Sequence, residues 1–318
     1  MKKVLIIRFS SLGDVVLVHP VIKKLHDKGY TVDLLTKKKY KEIFQYNPYV
    51  NTVFCLEEHR NLLSLAIALK KEKYFRVLDL HKNLRSAFIK LFFFLKSVTY
   101  KKFRMRRMLL VRFKINLLKN NSVIRNYMNV LKKLDVPFNE KDFSYRVFFK
   151  ADKKSKYKTG KRSIVAAPFA RHFTKEWANY KELLEKLQKR NHIFIIGEKK
   201  DHRRADEFNL TNATNLCGKL NFNEVLVLID KSLLLITNDS GIMHLGAGTD
   251  TPIITVFGST VKEFGFFLPG NKMVLMENRG LKCRPCHYHG LKRCPKGHFL
   301  CMRQISVEGV LKNVSKFI

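Results

Sequence analysis

Acidic residues are scarce in this sequence. Only 26 Asp and Glu accompany 62 Lys and Arg among its 318 residues, which gives a formal net charge of +36 at neutral pH. A charge of this size favours polyanionic partners: nucleic acid, an anionic membrane surface, or a phosphorylated and carboxylated substrate. The sequence has no zinc-finger, homeodomain or RNA-recognition signature, so we expect no specific binding of nucleic acid.

Long apolar runs are also absent. The longest, Ala87–Leu95, contains Lys90 and falls far short of the roughly 20 residues that a membrane-spanning helix requires. The first apolar run, Val4–Ile7, is stopped by Arg8 before it reaches the length of a signal-peptide core. We therefore expect a cytoplasmic protein without a transmembrane anchor, for which peripheral contact with a membrane stays open.

A glycine-rich dinucleotide fingerprint is missing as well. The first apolar run leads into Ser10–Asp14, which does not follow the Gly-x-Gly-x-x-Gly pattern. This absence argues against a dehydrogenase of the Rossmann type.

What the sequence contains instead is a regular alternation of strand-like and helix-like segments. The alternation begins at Val4–Ile7 and starts again at Ser163–Ala167, after the polar segment Phe148–Arg162. Alternation with short connections predicts parallel sheets covered by helices. We therefore predict two doubly wound α/β domains, residues 1–150 and 151–306, joined by an exposed linker, with the cleft between them as the default active site.

The sequence from Leu233 to His244 predicts a strand, a tight turn and a helix. Its turn contains Asp239, Ser240 and Gly241, and the free N–H groups and dipole of the following helix favour an anion. These three residues are therefore candidates for binding a phosphate or diphosphate. His244 could bond a phosphate or the reacting hydroxyl, or could be a packed core residue.

Asp14 follows the first predicted strand, in the region where open α/β sheets bind their ligands. A carboxylate there can act as a general base that deprotonates a hydroxyl attacking an activated sugar or another electrophile. The alternative is that Asp14 only caps the following helix. The residues alone favour neither.

Two charged residues of the second predicted domain suit a nucleotide. Lys175 comes shortly after the first strand of that domain and could neutralise a diphosphate leaving group, a task that a metal performs in other enzymes. Asp201 follows the next strand and could hold a ribose. The alternative for Lys175 is a solvated side chain before a helix.

Basic residues near a strand end of the first predicted domain suit an acidic acceptor. Lys82 and Arg85 follow Asp79, and a guanidinium grips a carboxylate or phosphate with two hydrogen bonds. Arg104 could extend this patch toward a lipid surface. Ordinary surface charge is the alternative for all three.

Four of the six cysteines, Cys283, Cys286, Cys294 and Cys301, are close together in the sequence. Four thiolates at such spacing could hold a structural zinc ion. The second pair lacks the tight Cys-x2-Cys spacing, however, and thiols of a cytosolic protein usually stay reduced. We therefore favour free thiols over a zinc site.

Taken together, these motifs resemble the lipopolysaccharide heptosyltransferases of glycosyltransferase family 9. The segments that support the resemblance are Arg8–Asp14, Asp79–Ser86, Lys175–Trp177, Asn238–Leu245, Pro252, Phe257–Ser259 and Cys283–Met302. Their order and spacing cover nearly the whole chain.

The resemblance implies a GT-B architecture, with two Rossmann-like domains facing a cleft and residues 307–318 forming a C-terminal helix that packs back on the first domain. It implies inverting transfer of heptose from ADP-heptose to Kdo or heptose of the inner core of lipid A-linked lipopolysaccharide. The enzyme would work without a cofactor at the anionic inner face of the cytoplasmic membrane.

The resemblance also assigns roles to residues. The site residues that it implies are Asp14 as the base; Lys175, Asp201, Asp239, Ser240, Gly241 and His244 for the nucleotide sugar; and Ser11, Lys82, Arg85 and Arg104 for the acceptor. The alternatives are a related glycosyltransferase that uses another nucleotide sugar on a glycolipid, or a non-catalytic basic protein that binds membranes or nucleic acid.

Overall fold

The chain forms two compact α/β units, and a computed structural model describes residues 1–151, 157, 162–268 and 272–318. The first unit comprises Met1–Phe103 and Asn121–Phe149, and the second comprises Arg104–Asn120 and Lys150–Ile318. Of the predicted linker Phe148–Arg162, residues 152–156 and 158–161 lie outside the described residues.

Short strands and helices alternate through the described ranges. The strands are β1 (Lys3–Ile7), β2 (Thr31–Thr36), β3 (Thr52–Cys55), β4 (Arg76–Asp79), β5 (Ser97–Thr99), β6 (Ser163–Ala167), β7 (His192–Ile195), β8 (Ala213–Asn215), β9 (Leu234–Asn238), β10 (Ile253–Phe257) and β11 (Met273–Glu277). The helices are α1 (Leu12–Val16), α2 (His19–Asp27), α3 (Leu62–Lys71), α4 (Leu84–Leu91), α5 (Arg104–Phe113), α6 (Val123–Met128), α7 (Tyr180–Leu187), α8 (His202–Asp206), α9 (Phe222–Asp230), α10 (Gly241–Ala247), α11 (Leu300–Arg303) and α12 (Val307–Val314). None of these helices is both long and apolar enough to cross a bilayer.

The first unit is built on a parallel sheet with strand order β3-β2-β1-β4-β5. The central strand β1 is an apolar run buried on both faces, as parallel strands covered by helices require. Its last residue, Ile7, is in register with Asp79 at the end of β4. The chain order reverses direction between β1 and β4, so their carboxyl ends flank the place where doubly wound sheets bind ligands.

The second unit has a parallel sheet with strand order β11-β10-β9-β6-β7-β8. Here the order reverses between β6 and β9, and Ala167 at the end of β6 is in register with Thr237 of β9. The predicted phosphate turn after β9 and the segment containing Lys175 after β6 therefore leave the sheet side by side. Both sheets confirm the predicted class of two doubly wound parallel-sheet units.

Helix α12 packs within the second unit, which thus extends past the predicted boundary at residue 306; the packing of residues 307–318 on the first unit stays a prediction. Val307, Val310 and Val314 belong to the same buried core as α7, and the Trp177 indole donates a hydrogen bond to the carbonyl of Ile305 at 3.0 Å. The apolar side of this amphipathic helix thus packs against the buried core of the second unit.

Helix α5 also departs from the predicted boundary at residue 150, because Arg104–Asn120 belongs to the second unit. The Arg107 guanidinium donates to the carbonyl of Phe264 at 3.0 Å, and the Lys114 ammonium donates to the carbonyl of Pro285 at 2.7 Å. Arg104 was predicted with the acceptor-binding residues of the first domain. The structure places it, exposed, at the start of α5 in the second unit.

Candidate functional site

Asp14 lies in the first turn of α1, just beyond the carboxyl end of β1. Its Oδ1 atom is 2.8 Å from the Arg8 guanidinium and accepts a hydrogen bond from the Tyr127 hydroxyl at 3.1 Å. Its Oδ2 atom accepts from the Ser11 hydroxyl at 2.8 Å and from the Ser11 backbone N–H at 3.3 Å. Asp14 thus caps α1. Because 17% of its side chain is also exposed, capping the helix does not prevent its carboxylate from contacting a bound hydroxyl.

The surroundings of Asp14 keep its carboxylate charged. Burial by itself opposes ionisation, but the Arg8 guanidinium and the hydrogen bonds from Ser11 and Tyr127 outweigh it, and the pKa of Asp14 lies below its ordinary value. The side chain is therefore ionised at neutral pH. An ionised, partly exposed carboxylate can accept a proton from a bound hydroxyl.

Arg8 is itself fixed by groups from neighbouring strand ends. Its guanidinium donates to the carbonyl of Leu80 and lies 3.5 Å from the hydroxyl of Tyr100. It also lies 5.5 Å from the ring centre of Tyr127, a distance at which a cation is attracted by the aromatic face. Because Arg8 is 5% exposed, its charge acts on Asp14 with little screening by water.

The predicted acceptor-binding residues of the first unit border a loop that a buried carboxylate shapes. Asp79 accepts hydrogen bonds from the backbone N–H groups of His81 at 2.9 Å and Lys82 at 2.8 Å, and from the Ser86 hydroxyl at 2.9 Å. Burial, followed by the charge of nearby Arg8, lowers the pKa of His81 to about 4. Lys82 and Arg85 are exposed on this loop and at the start of α4.

In the second unit, Lys175 and Asp239 form an ion pair between the ends of β6 and β9. The Lys175 ammonium is 2.8 Å from Asp239 Oδ2, and the Thr260 hydroxyl donates to the same oxygen at 2.7 Å. Although burial opposes its ionisation, Lys175 and Thr260 lower the pKa of Asp239. The pair therefore holds a cation between the ends of β6 and β9, where the strand order reverses. Of the Lys175 side chain, 16% is exposed.

Buried hydroxyl groups join the loops around this ion pair. The Thr174 hydroxyl is 2.9 Å from that of Ser259, and it accepts a hydrogen bond from the backbone N–H of Leu291 at 2.7 Å. The backbone N–H of Ser259 donates to the carbonyl of Thr174 at 3.2 Å. The loops after β6 and β10 therefore hold Lys175 and Thr260 in a fixed relation to Asp239.

The remaining residues of the predicted phosphate turn lie beside the ion pair in sequence. Ser240 precedes α10, which begins at Gly241, and both residues are partly exposed. His244 is 3% exposed and packs edge-to-face with Phe266 at 5.9 Å. The structure thus gives His244 the packed environment that was the alternative to phosphate binding.

Asp201 shapes the turn after β7. Its carboxylate accepts a hydrogen bond from the backbone N–H of Glu198 at 2.9 Å and lies 3.5 Å from the Arg204 guanidinium. Burial raises the pKa of Asp201, although the Glu198 hydrogen bond and nearby cations oppose this rise. With 4% of the residue exposed, binding of a ribose stays a prediction.

The sequence also matches known proteins over most of its length. Residues 62–290 match the model of glycosyltransferase family 9 (heptosyltransferase), which is more than half of the chain. The chain belongs to glycosyltransferase family 9. A relative over the full length is lipopolysaccharide heptosyltransferase 1 of Campylobacter coli, which is 25% identical over 346 residues and matches across 99% of this chain and 98% of the relative.

Two solved structures have the same fold. The ADP-heptose lipopolysaccharide heptosyltransferase II of Escherichia coli superimposes with a TM-score of 0.75 at 19% identity, covering 100% of this chain and 98% of that chain. A family 9 glycosyltransferase of Veillonella parvula superimposes with a TM-score of 0.80 at 16% identity, covering 99% of this chain and 97% of that chain. The predicted GT-B fold class is therefore confirmed, and the chain is a glycosyltransferase.

In this family 9 glycosyltransferase the cysteine-rich segment is attached to the loop after β10. Arg284, which is 8% exposed, donates to the carbonyl of Thr260 at 2.8 Å and to the Glu277 carboxylate at 3.1 Å. It also donates to the carbonyl of Phe257 at 3.3 Å. Arg284 thereby fixes the backbone of Thr260, whose hydroxyl contacts Asp239.

The cysteines of that segment are free thiols in the structure. Burial raises the pKa of Cys286 and that of Cys301 to about 11, and Cys283 Sγ lies 3.8 Å from His298 Nε2. Within the described ranges, no group of three or more Cys, His, Asp or Glu side chains is arranged to hold a metal ion. Occupancy of this cluster by zinc stays an open prediction.

Sequence reasoning did not assign roles to Arg8, Tyr127, Thr260 or Arg284. Arg8 is the first residue of the Arg8–Asp14 segment and directly follows the apolar strand Val4–Ile7. A charged residue in that position could have indicated a role at the site. Tyr127 contacts Asp14 although the two residues are 113 positions apart in the sequence, and no local sequence pattern indicates that contact. Thr260 and Arg284 likewise depend on contacts between loops that follow different strands.

Proposed function

We propose that this family 9 glycosyltransferase transfers a heptose from ADP-heptose to Kdo or heptose in the inner core of lipid A-linked lipopolysaccharide, with inversion of the anomeric centre. The observation that carries the proposal is the ionised, partly exposed carboxylate of Asp14, which lies just beyond β1, where the strand order of the first sheet reverses. The substrate class is supported by the names of the similar proteins, which are heptosyltransferases acting on lipopolysaccharide and, in one case, using ADP-heptose.

The proposed reaction is a single displacement. The acceptor hydroxyl loses its proton to the Asp14 carboxylate while its oxygen forms a bond to the anomeric carbon of the donor. The bond between that carbon and the diphosphate oxygen breaks, and ADP departs with the electron pair. Attack from the face opposite the leaving group inverts the anomeric centre.

Ser11 is the group that the acceptor hydroxyl would replace. A carboxylate has about four sites for hydrogen bonds, and Arg8, Tyr127 and the two donors of Ser11 fill them in the structure. The Ser11 hydroxyl is exposed and can rotate, whereas Arg8 and Tyr127 are buried. The acceptor hydroxyl therefore takes the place of the Ser11 hydroxyl at Asp14 Oδ2.

The second unit would stabilise the departing diphosphate. The Lys175 ammonium supplies positive charge, and the backbone N–H groups at Ser240 and Gly241 supply hydrogen bonds to phosphate oxygens. Asp239 repels a phosphate and instead positions Lys175, which it contacts at 2.8 Å. In this proposal Asp201 binds the ribose, and Lys82 and Arg85 bind acidic groups of the acceptor.

Replacing Asp14 tests the proposal directly. We expect Asp14→Asn to lower kcat for heptose transfer to a lipid A–Kdo acceptor by about 10²- to 10⁴-fold, because the base is lost. ADP should still raise the unfolding temperature, since the change lies in the other unit. Asp27→Asn is the matched control, because Asp27 is an exposed carboxylate that pairs with Lys23 at 2.5 Å. Transfer by Asp14→Asn at the wild-type rate would refute the role.

The donor is tested by thermal unfolding with a panel of nucleotide sugars. A ligand that binds only the folded state stabilises it, by about 2.7 kcal/mol at a concentration of 100 times its Kd. We expect ADP and ADP-heptose to stabilise the protein and UDP and GDP sugars to have no effect. Stabilisation by UDP or GDP sugars alone would favour the related enzyme that uses another donor.

We also propose that transfer requires no divalent cation. Lys175 is placed to carry out the charge neutralisation that a metal performs in other glycosyl transfers. Transfer should therefore continue at the same rate after dialysis against EDTA, and added Mg²⁺ should not raise it. A rate that falls with EDTA and recovers with a divalent cation would overturn this part of the proposal.

The enzyme would work at the inner face of the cytoplasmic membrane, because the proposed acceptor is anchored in lipid. The net charge of +36 favours contact with an anionic membrane surface.

A further inference from the structure

Large apolar side chains are exposed together in one region of the first unit. Leu84 is 88% exposed, Leu91 69%, Phe94 78% and Leu95 88%. All four belong to α4 or to the turn that follows it. Soluble proteins rarely leave such a group of apolar side chains in water unless it contacts a partner or a membrane.

The sequence of α4 is apolar on two sides. Ser86 and Ile89 face the core and are buried, as expected for a helix that covers a sheet. Leu84, Phe88 and Leu91 follow the spacing i, i+4, i+7 and therefore form a second, outward stripe. The inward side covers the core, whereas the outward stripe leaves Leu84 88% and Leu91 69% exposed.

The neighbouring helix extends this apolar surface. Helix α3 packs against α4 and exposes Leu63 and Ile67, at 49% and 46%. We name the surface formed by Leu63, Ile67, Leu84, Phe88, Leu91, Phe94 and Leu95 the α3–α4 face.

Lysines border one end of the α3–α4 face. Lys70, Lys73 and Lys96 line a shallow depression of about 570 Å³ whose floor includes the segment from Leu91 to Leu95. No acidic side chain is among the described residues that line it. Apolar side chains at the centre with lysines at the border match the structure of an anionic bilayer surface, where acyl chains lie beneath negative headgroups.

We propose that the α3–α4 face docks the first unit on an anionic lipid bilayer, with Phe94 and Leu95 inserted among the acyl chains and the lysines at the headgroups. The proposal deepens the proposed function, since it rests on a lipid-anchored acceptor. Lys82 and Arg85, the predicted acceptor-binding cations, lie next to Leu84 at the start of α4. Docking through this face therefore brings the membrane to the helix that follows the acceptor loop.

Charge complementarity favours a bilayer over a second copy of the chain. A second copy would bring the same lysine border and the same net charge of +36 to the contact, and the two would repel each other. Anionic lipids neutralise the border instead.

Sedimentation with lipid vesicles tests the docking. The full chain should bind vesicles of phosphatidylglycerol and phosphatidylethanolamine, bind neutral phosphatidylcholine vesicles at least tenfold more weakly, and dissociate from anionic vesicles at high salt. The double variant Phe94→Ser/Leu95→Ser should bind anionic vesicles at least tenfold more weakly than wild type. The double variant Ile115→Ser/Leu117→Ser is the matched control, because each of these side chains is 50% exposed in the second unit.

The folded state and the active site should be unaffected by the Phe94 and Leu95 changes. Circular dichroism, stabilisation by ADP and transfer to a short acceptor without acyl chains should all match the wild type. Unchanged vesicle binding by the double variant, or an equal loss in the control, would overturn the proposal. A dimer in sedimentation equilibrium that the double variant abolishes would assign the face to a second copy.

The outcome separates the docking from the proposed function. Vesicle binding that depends on Phe94 and Leu95, without any heptose transfer, would retain the docking and reject the function. Transfer to the short acceptor, with vesicle binding that ignores these residues, would retain the function and reject the docking.

Discussion

Arg8 and Asp14 show how one buried cation can set the charge of the carboxylate that we propose as the base. Two opposing effects act on Asp14, because burial raises its pKa whereas Arg8 lowers it, and the result is a lowered pKa. A carboxyl with a lowered pKa is a weaker base, yet it stays ionised over a wider pH range. Its charge also stabilises the folded state above the ordinary carboxyl pKa, and this contribution is lost as the pH falls through the folded-state value.

Replacing Arg8 should shift the pH dependence of the reaction. In Arg8→Gln the opposing cation is gone, burial prevails, and the pKa of Asp14 rises. The acidic limb of kcat/KM should move upward by about one pH unit or more, whereas Arg8→Lys should leave it near the wild-type position. The measurement is kcat/KM for heptose transfer as a function of pH.

Two controls accompany the Arg8 experiment. Arg60→Gln removes an exposed arginine of the same unit and should leave the profile unchanged. His81 also titrates nearby, and Arg8 contributes to its lowered pKa, so the comparison is repeated in a His81→Gln background. An acidic limb that is the same in wild type and Arg8→Gln would show that Arg8 does not act through the charge of Asp14.

Single residues were predictable from the sequence when their chemistry depended on a local pattern. The strand–turn–helix patterns placed Asp14 and Asp239 after strands, and the structure has Asp14 in the first turn of α1, beyond β1, and Asp239 directly after β9. The geometry of the ion pair between Asp239 and Lys175 was not predictable, because it requires β6 and β9 to be neighbours although 67 positions separate Ala167 from Leu234. His244 was ambiguous in sequence, and only its packing shows a buried environment.

At the scale of elements, the predicted phosphate turn after β9 depends on the segment that carries the cysteines. Arg284 donates hydrogen bonds to four backbone carbonyls, those of Phe257, Gly258, Thr260 and Asn278. It also pairs with Glu277 at the end of β11. The cysteine-rich segment therefore holds the loop after β10, whatever the state of its thiols.

Arg284→Met should destabilise the protein and weaken nucleotide binding together. The change leaves the Glu277 carboxylate and the loop carbonyls without their buried donor, and breaking a buried ion pair in this way costs about 3–5 kcal/mol. Because Thr260 loses its support, the Kd for ADP should rise as well. Urea unfolding and calorimetric titration with ADP measure the two effects.

Arg279→Met is the control for Arg284→Met. Arg279 pairs with the same Glu277 carboxylate at 2.8 Å but is 70% exposed, and an exposed pair contributes at most about 1 kcal/mol. If Arg279→Met and Arg284→Met destabilise equally, the loop does not depend on the buried guanidinium.

Elements with strong apolar patterns were predicted well, and short edge elements were not. The predicted segment Ser163–Ala167 is β6 at the bounds that the structure shows, and the predicted segment Val4–Ile7 is β1 without its first residue. Strands β5 and β8 have three half-buried residues each, which is too few for a recognisable pattern. Of helix α5, only Arg104 was mentioned in the sequence analysis, as part of a basic patch, because tertiary contacts rather than propensity decide where the helix packs.

At the scale of the whole molecule, the sequence predicted the fold class but not every boundary. Two doubly wound sheets follow from the alternation of segments, which is a property of the chain alone. The assignment of α5 and α12 to the second unit depends on which apolar surface is free to receive each helix. That is a three-dimensional property, and it moved Arg104 out of the unit in which it was predicted.

The net charge of +36 should make the folded protein more stable as salt is added. Repulsion among like charges destabilises the compact state, and the distance over which charges interact falls from about 30 Å at 0.01 M salt to about 8 Å at 0.15 M. We therefore expect the Tm to rise when sodium chloride is increased over this range, although the same salt weakens binding to anionic vesicles. Sodium fluoride at equal ionic strength should act alike, which distinguishes screening from specific binding of chloride. A Tm that stays constant or falls would show that the screened ion pairs within the fold outweigh the repulsion between its excess lysines and arginines.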